Sequence, residues 1–265
     1  MSGPRAEVVT EWNRRAPAYA ELVRRHPVFA RLADRLVDFV PAEAGEALDV
    51  GAGTGLVSER LLRARPDLRV HLCEPAEGML ALAAERLGPR PASFSALAAE
   101  EVDRDPRPVD AALASACLHL SDWPASLRAI AARLRPGGVL AFNLWWHAWE
   151  PTAGEAEPAD LWRAPLLRAL DELRVDPGLL PEPEPRRPPI TPAALAAAAR
   201  AAGFALEVLD PDRDAVDAAL LVDFAAMGPA LRGLREREAV FARARALAAG
   251  EATWTSTRFR LTRRR

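Results

Sequence analysis

The sequence predicts an α/β fold with a doubly wound, mostly parallel sheet of about seven strands, the last of them antiparallel. Short apolar runs alternate with longer segments of helical periodicity, and this β-α-β-α order is typical of such sheets. The run VDAALASACL at 109–118 is apolar almost throughout, as expected of a strand buried on both faces. A helical cap is predicted from the N-terminus and from insertions.

Turn and capping signals separate the predicted elements. Gly88 ends the helix after the second strand, Pro124 lies in the first turn of a later helix, and Gly137 marks the turn into the fifth strand. The last strand alternates and is rich in β-branched and aromatic residues. The predicted strands are 47–50, 69–74, 92–97, 109–118, 139–146, 204–210 and 253–262. The predicted helices are 55–65, 76–87, 123–135, 191–202 and 214–249, with others before residue 47.

The pattern indicates a single domain over 1–265. Its predicted parts are an N-terminal helical cap (1–46), a ligand-binding core (47–146), a cap insert (147–190) and C-terminal helices and strands (191–265). The segment PEPEPRRPPITP at 181–192 has six prolines in twelve residues, which excludes regular helix and central strand there.

The composition limits the partners and the compartment. A formal net charge of −2 over 265 residues gives no electrostatic reason to expect nucleic acid or an anionic membrane as the main partner. Cys73 and Cys117 are too few for a disulfide scaffold. No apolar run approaches the roughly 20 residues of a membrane span, and the first residues carry charges where a signal peptide needs apolar ones. We therefore expect a soluble, cytoplasmic protein.

The most specific motif is LDVGAGTG at 48–55, between a predicted strand and a predicted helix. Gly51, Gly53 and Gly55 can adopt positive φ and let a ligand approach the backbone, and the helix N-terminus adds unpaired N–H groups. Glu74 follows nineteen residues after Gly55, at the end of the second strand. A carboxylate there can accept both hydroxyls of a ribose, so the pair predicts a nucleoside site.

Two kinds of ligand and one purely structural role compete for this loop. Dinucleotide sites need G-x-G-x-x-G, but Leu56 occupies the third glycine position and the loop is G-x-G-x-G. A glycine turn without a ligand is the structural alternative. The G-x-G-x-G spacing resembles motif I of the Rossmann-like, class I S-adenosylmethionine-dependent methyltransferases.

Three further segments resemble the same family. HLCEPAEGML at 71–80 is similar to its second motif, 109–142 resembles its fourth strand, helix and L-x-P-G-G turn, and TPAALAAAARAAGF at 191–204 resembles a later helix-to-strand step. The resemblance runs from about Tyr19 to Phe204. It is greatest to the small-molecule methyltransferases of quinone and natural-product biosynthesis.

On this resemblance the cofactor is S-adenosyl-L-methionine and the product is S-adenosyl-L-homocysteine. Asp49 would hold the loop, Glu74 would bind the ribose hydroxyls, and Ser115 to Cys117 would contact the methionine end. Tyr19 would close over the cofactor. The full set of implied cofactor-binding residues is Tyr19, Asp49, Gly51, Ala52, Gly53, Gly55, Glu74, Pro75, Met79, Ala98, Ala99, Ser115, Ala116 and Cys117.

The sequence departs from the family after the third strand. There the family often has an aspartate that bonds the adenine amino group, whereas this chain has SALAAEE at 95–101, with Leu97 or Ala98 at that position. The backbone N–H of Ala98 or Ala99 would then meet the adenine. Glu100 would replace the aspartate only if the register shifts.

Two histidines are candidates for the catalytic group that takes a proton from the methyl acceptor. His119 follows the fourth strand and His147 the fifth, and ligands of such sheets lie beyond the carboxyl ends of the strands. A structural or positioning role is the alternative for each. Trp145, Trp146 and Trp149 flank His147, and their rings either bind a flat or cationic acceptor or pack in the core.

The motifs that this sequence lacks narrow the range of possible methyl acceptors. Ser-Ala-Cys-Leu-His-Leu at 115–120 stands where DNA and many protein amide methyltransferases have Asn/Asp-Pro-Pro-Tyr/Phe, and no residues have the spacing of a metal site. We therefore predict methyl transfer to a small organic acceptor by in-line displacement, in secondary or quinone-like metabolism. A same-fold protein that uses S-adenosylmethionine for binding, regulation or a non-methyl reaction is the alternative, and Leu56 disfavours an NAD(P)-dependent oxidoreductase. No nucleic acid and no membrane span are expected, and a homodimer is left open.

Overall fold

A computed structural model describes residues 4–153, 159–179, 188–228 and 231–264. In this part of the chain eight strands form one mixed sheet. They are β1 (Glu46–Val50), β2 (Arg69–Cys73), β3 (Ala92–Ser95), β4 (Val109–Ser115), β5 (Leu134–Trp145), β6 (Phe204–Val208), β7 (Asp212–Asp217) and β8 (Glu251–Arg263). The α-helices of the same part are α1 (Pro4–Arg25), α2 (Val28–Val37), α3 (Leu56–Ala64), α4 (Glu77–Leu87), α5 (Trp123–Arg133), α6 (Glu150–Ala153), α7 (Ala159–Glu172), α8 (Pro192–Ala201), α9 (Ala219–Ala226) and α10 (Arg237–Leu247).

The first five strands are parallel and lie in the order β3-β2-β1-β4-β5. Strand β8 is antiparallel to β5 on one side and to β6 on the other, and β7 pairs with the first half of β8. The predicted class, a mostly parallel doubly wound sheet with an antiparallel last strand, is confirmed. The strand order reverses between β1 and β4, and ligands of such sheets bind at this point.

Helices cover both faces of the sheet. On one face α2, α3 and α4 bury a cluster of apolar side chains that includes Leu36, Leu61 and Ala83. On the other face α5 and α8 bury a cluster that includes Ile130 and Leu195. Helix α1 packs on α4 above the carboxyl edge of the sheet, so it covers the edge where the motif loops lie.

The region around β7 corrects one prediction. Helix was predicted from residue 214 to 249, but Asp212–Asp217 is a strand, and helices begin only at Ala219. The sequence DRDAVD lacks the apolar alternation of a buried strand. Instead Asp214 is 6% exposed and is bonded by Arg31 and Arg35 of α2, so ion pairs join β7 to α2.

Smaller differences concern element ends. Strand β4 ends at Ser115, three residues before the predicted end, and β5 begins at Leu134, before the turn at Gly137. Residues 180–187, which hold much of the proline-rich segment, lie outside the described residues. No helix in the described ranges combines the length and the apolar character needed to cross a membrane.

Candidate functional site

A cavity of about 120 Å³ opens at the carboxyl edge of the parallel strands, where β1, β2, β3 and β4 end beneath α1. Most of the predicted cofactor-binding residues line it: Tyr19, Gly51, Gly53, Glu74, Pro75, Met79, Ala98, Ala99, Ser115, Ala116 and Cys117. The lining also includes residues that the sequence analysis did not assign to the cofactor: Val8, Val9, Trp12, Glu100, Leu120 and Ser121.

The glycine loop forms one wall of the cavity, and Gly51 leaves no room for a side chain. Gly51 has a φ of 59°, and a Cβ added there would lie 2.7 Å from the Cβ of Cys117. Gly53 has a φ of 53°, and its added Cβ would point towards Tyr19, 3.9 Å from Cε1. A side chain at Gly53 would therefore project between the loop and the helix that covers the cavity.

The carboxylate of Glu74 joins the loop to the next helix. One oxygen accepts the N–H of Gly53 at 2.9 Å, and the other accepts the N–H of Ala76 at 2.8 Å, at the start of α4. Burial raises the pKa of Glu74, and the two backbone N–H groups oppose that shift. Each carboxylate oxygen has a further lone pair, so Glu74 can still accept hydrogen bonds from two hydroxyl groups of a ligand.

Three of the predicted cofactor-binding residues do not line the cavity. Asp49 is 2% exposed beneath the loop, where one oxygen accepts both the N–H and the hydroxyl of Ser58 in α3. Ala52 donates its N–H to the carbonyl of Cys73. Gly55 precedes α3 and packs on Ala83 of α4. All three shape the loop from below.

A strained turn after β4 forms the opposite wall. Ala116 has a φ of 50°, a conformation that costs a non-glycine residue about 1–3 kcal/mol and is enriched at functional sites. Asn143 of β5 supports this turn, because its Oδ1 accepts the N–H of Ala116 at 2.7 Å and the hydroxyl of Ser115 at 3.4 Å. The thiol of Cys117 donates to the carbonyl of Val50, which ties the turn to the end of β1. Asn143 was not predicted as a site residue, since it lies inside an apolar strand.

Aromatic side chains cover the cavity. Tyr19 makes an edge contact with Trp12, 5.5 Å between ring centroids, and another with Phe29 at 6.3 Å. Burial raises the pKa of Tyr19 to about 12, so its hydroxyl stays protonated at neutral pH. Met79 is 2% exposed and packs with Ala16 of α1.

The end of β3 shows where an acidic side chain reaches the cavity. Glu100 lines it, in the short 3₁₀ helix Ala99–Arg104, whereas Leu97 does not. The N–H of Ala98 donates to Oε2 of Glu101 at 3.3 Å. The structure thus brings Glu100, the residue that the sequence analysis kept as a substitute, to the cavity beside Ala98 and Ala99.

The two candidate catalytic histidines lie together, with ring centroids 5.5 Å apart in an edge contact. They are not among the residues that line the cavity, but Leu120 and Ser121, directly after His119, are. His147 also contacts Trp145 and Trp146.

The tryptophans of this region separate into two groups. Trp145 and Trp146 pack edge-on against Trp254 at 4.9 and 4.7 Å, in an apolar cluster that also contacts Tyr19 and Ala116. Trp149 packs in another cluster, against Phe259. In the described part of the chain, no hydrogen-bond partner exists for the indole N–H groups of Trp145, Trp146 and Trp254 or for Nδ2 of Asn143.

The groups that line the cavity suit an adenosyl ligand with an amino-acid tail. The cavity offers a paired-oxygen acceptor at Glu74, an apolar wall at Met79, and a glycine loop where a Cβ would intrude. Within the described residues, no group of three or more histidine, cysteine or acidic side chains could hold a metal ion.

Residues 48–140 match a family model described as a methyltransferase domain. A similar curated protein is the malonyl-[acyl-carrier protein] O-methyltransferase of Acetivibrio thermocellus, 28% identical over 134 residues, which are 49% of this chain and 45% of that protein. The chain therefore spans less than half the length of this relative.

Solved structures share the fold. The YcgJ protein of Bacillus subtilis superposes with a TM-score of 0.59 at 15% identity, covering 89% of this chain and 99% of that one. A Thermotoga maritima protein, described as a SAM-dependent methyltransferase and possible histamine N-methyltransferase, gives a TM-score of 0.56 at 14% identity, covering 96% and 99%. These structures show the fold, and the family match over 48–140 agrees with the resemblance that the glycine motif indicated.

The position of Gly53, which lines the cavity opposite Tyr19, predicts the effect of a side chain there. Gly53→Val should abolish measurable binding of S-adenosylhomocysteine in calorimetry, because the side chain would project into the cavity. Gly88→Val is the matched control, since Gly88 has a similar φ of 55° but nothing within 4 Å of an added Cβ. Both variants carry the backbone strain, but only the first should lose the ligand. Equal affinities in the two variants would exclude the loop as the binding site.

Asp49 predicts a pH-dependent stability. Burial raises its pKa from 3.8 to about 7. Because this folded-state pKa exceeds the unfolded one, ionisation opposes folding, and wild-type stability should fall as the pH rises from about 4 to about 7. Asp49→Asn keeps an oxygen for Ser58 but carries no charge. In urea unfolding across this range, its free energy of unfolding relative to wild type should rise with pH. A pH-independent difference would contradict this account.

Proposed function

We propose that this chain is a class I S-adenosylmethionine-dependent methyltransferase and that it transfers the methyl group of S-adenosylmethionine to a small organic acceptor. The observation that carries the proposal is the convergence of residues from four separate motif loops, and of α1, on one cavity at the switch point of the sheet. The methyltransferase match over 48–140 supports it, because this range contains the loops after β1, β2, β3 and β4.

Within this proposal Glu74 binds the ribose. Both of its oxygens are fixed by backbone N–H groups, so the carboxylate needs little reorganisation to accept two hydroxyls. Met79 and Pro75 pack against the adenine, and the Glu100 carboxylate accepts its amino group.

The turn of Ser115 to Cys117 holds the methionine end against the glycine loop. When bound, S-adenosylmethionine supplies an electrophilic methyl group on a positively charged sulfur. The chain itself contributes to the rate by aligning the reactants and excluding water. These two effects can lower the activation free energy of an in-line displacement by several kcal/mol. Asn143 acts as a positioning residue, since it fixes the turn through Ala116.

The acceptor lies beside this turn, near His119 and His147. The cluster of Trp145, Trp146 and Trp254 contacts Ala116, and its buried indole N–H groups are without partners in the described residues. The relative named as a malonyl-[acyl-carrier protein] O-methyltransferase agrees with an oxygen acceptor. Where the acceptor carries a proton, as a phenol does, one of the two histidines takes it as the methyl group is transferred.

A screen of phenols, carboxylic acids and amines tests the proposal, with S-adenosylhomocysteine release as the readout. For the acceptor found, either His119→Ala or His147→Ala should lower kcat by about a hundredfold or more, as loss of a general base does. His26→Ala is the control, since His26 bonds Asp223 away from the cavity. Equal rates in all three variants would exclude a histidine base. Cofactor binding without transfer to any acceptor would contradict the activity and favour a non-methyl use of the ligand.

A further inference from the structure

A second cavity lies at the opposite, amino edge of the parallel sheet. It has a volume of about 500 Å³ and is formed where β1 to β4 begin. Five arginines line it: Arg69, Arg90, Arg107, Arg133 and Arg135. Since it shares no lining residue with the cofactor cavity, the methyltransferase function gives it no role.

Carboxylates balance only part of this charge. Three ion pairs join the cluster to acidic side chains: Arg69 with Glu46 at 2.7 Å, Arg107 with Asp105 at 2.6 Å and Arg135 with Asp110 at 2.5 Å. Five guanidinium groups thus face three carboxylates among the described residues, and two positive charges remain in excess.

The other two arginines are held mainly by backbone carbonyls. Arg90 donates to the carbonyls of Arg86 and Leu87 at the end of α4. Arg133 is 2% exposed and donates to the carbonyls of Val102 and Arg107, with Asp105 further away at 3.7 Å. These carbonyls fix the guanidinium groups but do not neutralise them.

Neutral donors complete the cavity. His71 and Ser93 line it, and the imidazole Nδ1 lies 2.7 Å from the hydroxyl of Ser93. Burial, and then the charge of Arg107, lowers the pKa of His71 to about 4. The imidazole is therefore neutral at pH 7, and the charge of the cavity comes from its arginines.

We propose that this cavity binds a small anion of the phosphate-ester class that carries at least two negative charges. Planar guanidinium groups match phosphate oxygens in pairs, and the excess of two positive charges matches the charge of such a ligand. Arg69 and Arg107 have side chains 73% and 62% exposed. Exposed ion pairs contribute little stability, so these side chains can turn from their carboxylates to a bound anion. Val70, Pro91 and Pro108 supply an apolar wall for an organic group.

The test is calorimetric titration with inorganic pyrophosphate at low salt. Wild type should bind one pyrophosphate, and Arg107→Gln should weaken the affinity by about tenfold, as expected for loss of one charged hydrogen-bonding group. Arg24→Gln is the matched control, because Arg24 is 72% exposed and pairs with Glu21 at 2.7 Å but lies outside both cavities. Arg69→Gln provides a second variant should Arg107→Gln fail to fold, as judged by circular dichroism.

Three results would overturn the proposal. They are no binding of millimolar pyrophosphate by wild type, equal affinity in the folded Arg107→Gln or Arg69→Gln and in Arg24→Gln, or loss of pyrophosphate binding in Gly53→Val. The last result would assign the anion to the cofactor cavity. A nucleoside diphosphate that binds more tightly than pyrophosphate, with the same loss in Arg107→Gln, would support an organic phosphate ester.

Discussion

The carboxylate of Glu74 is the constraint on which the candidate site depends. It accepts a backbone N–H from the loop after β1 and another from the start of α4, so one side chain fixes two walls of the cavity. Burial raises its pKa, and those two backbone donors offset the cost of keeping it ionised. A carboxylate fixed in this way by the protein presents its remaining lone pairs to a ligand without rearrangement.

Two further buried polar side chains extend this framework to the neighbouring strands. Asp49 bonds Ser58 and joins β1 to α3, while Asn143 bonds Ala116 and joins β5 to the turn after β4. Neither Asp49 nor Asn143 lines the cavity. Their effect is indirect: they hold the glycine loop and the strained turn in positions that leave room for a ligand between them.

Much of this arrangement could be predicted from local patterns. The glycine spacing and Glu74 lie on consecutive elements, and parallel strands bring their carboxyl ends together whatever the side chains are. The same reasoning failed for β7, because Asp214 is buried by ion pairs with α2 and periodicity does not detect distant charge pairs. It also missed Asn143, whose role depends on the register of β5 with β4, and it could not decide between Ala98 and Glu100, because the loop after β3 has no periodic signal.

The most direct test of the account is calorimetric titration of wild type and Glu74→Gln with S-adenosylhomocysteine, with NADH as the comparison ligand. Wild type should bind S-adenosylhomocysteine with micromolar affinity and should not bind NADH. The variant should lose about tenfold to a hundredfold in affinity, the value of one or two charge-assisted hydrogen bonds. Unchanged affinity in a folded Glu74→Gln protein, or a preference for NADH in wild type, would contradict the central role of this carboxylate.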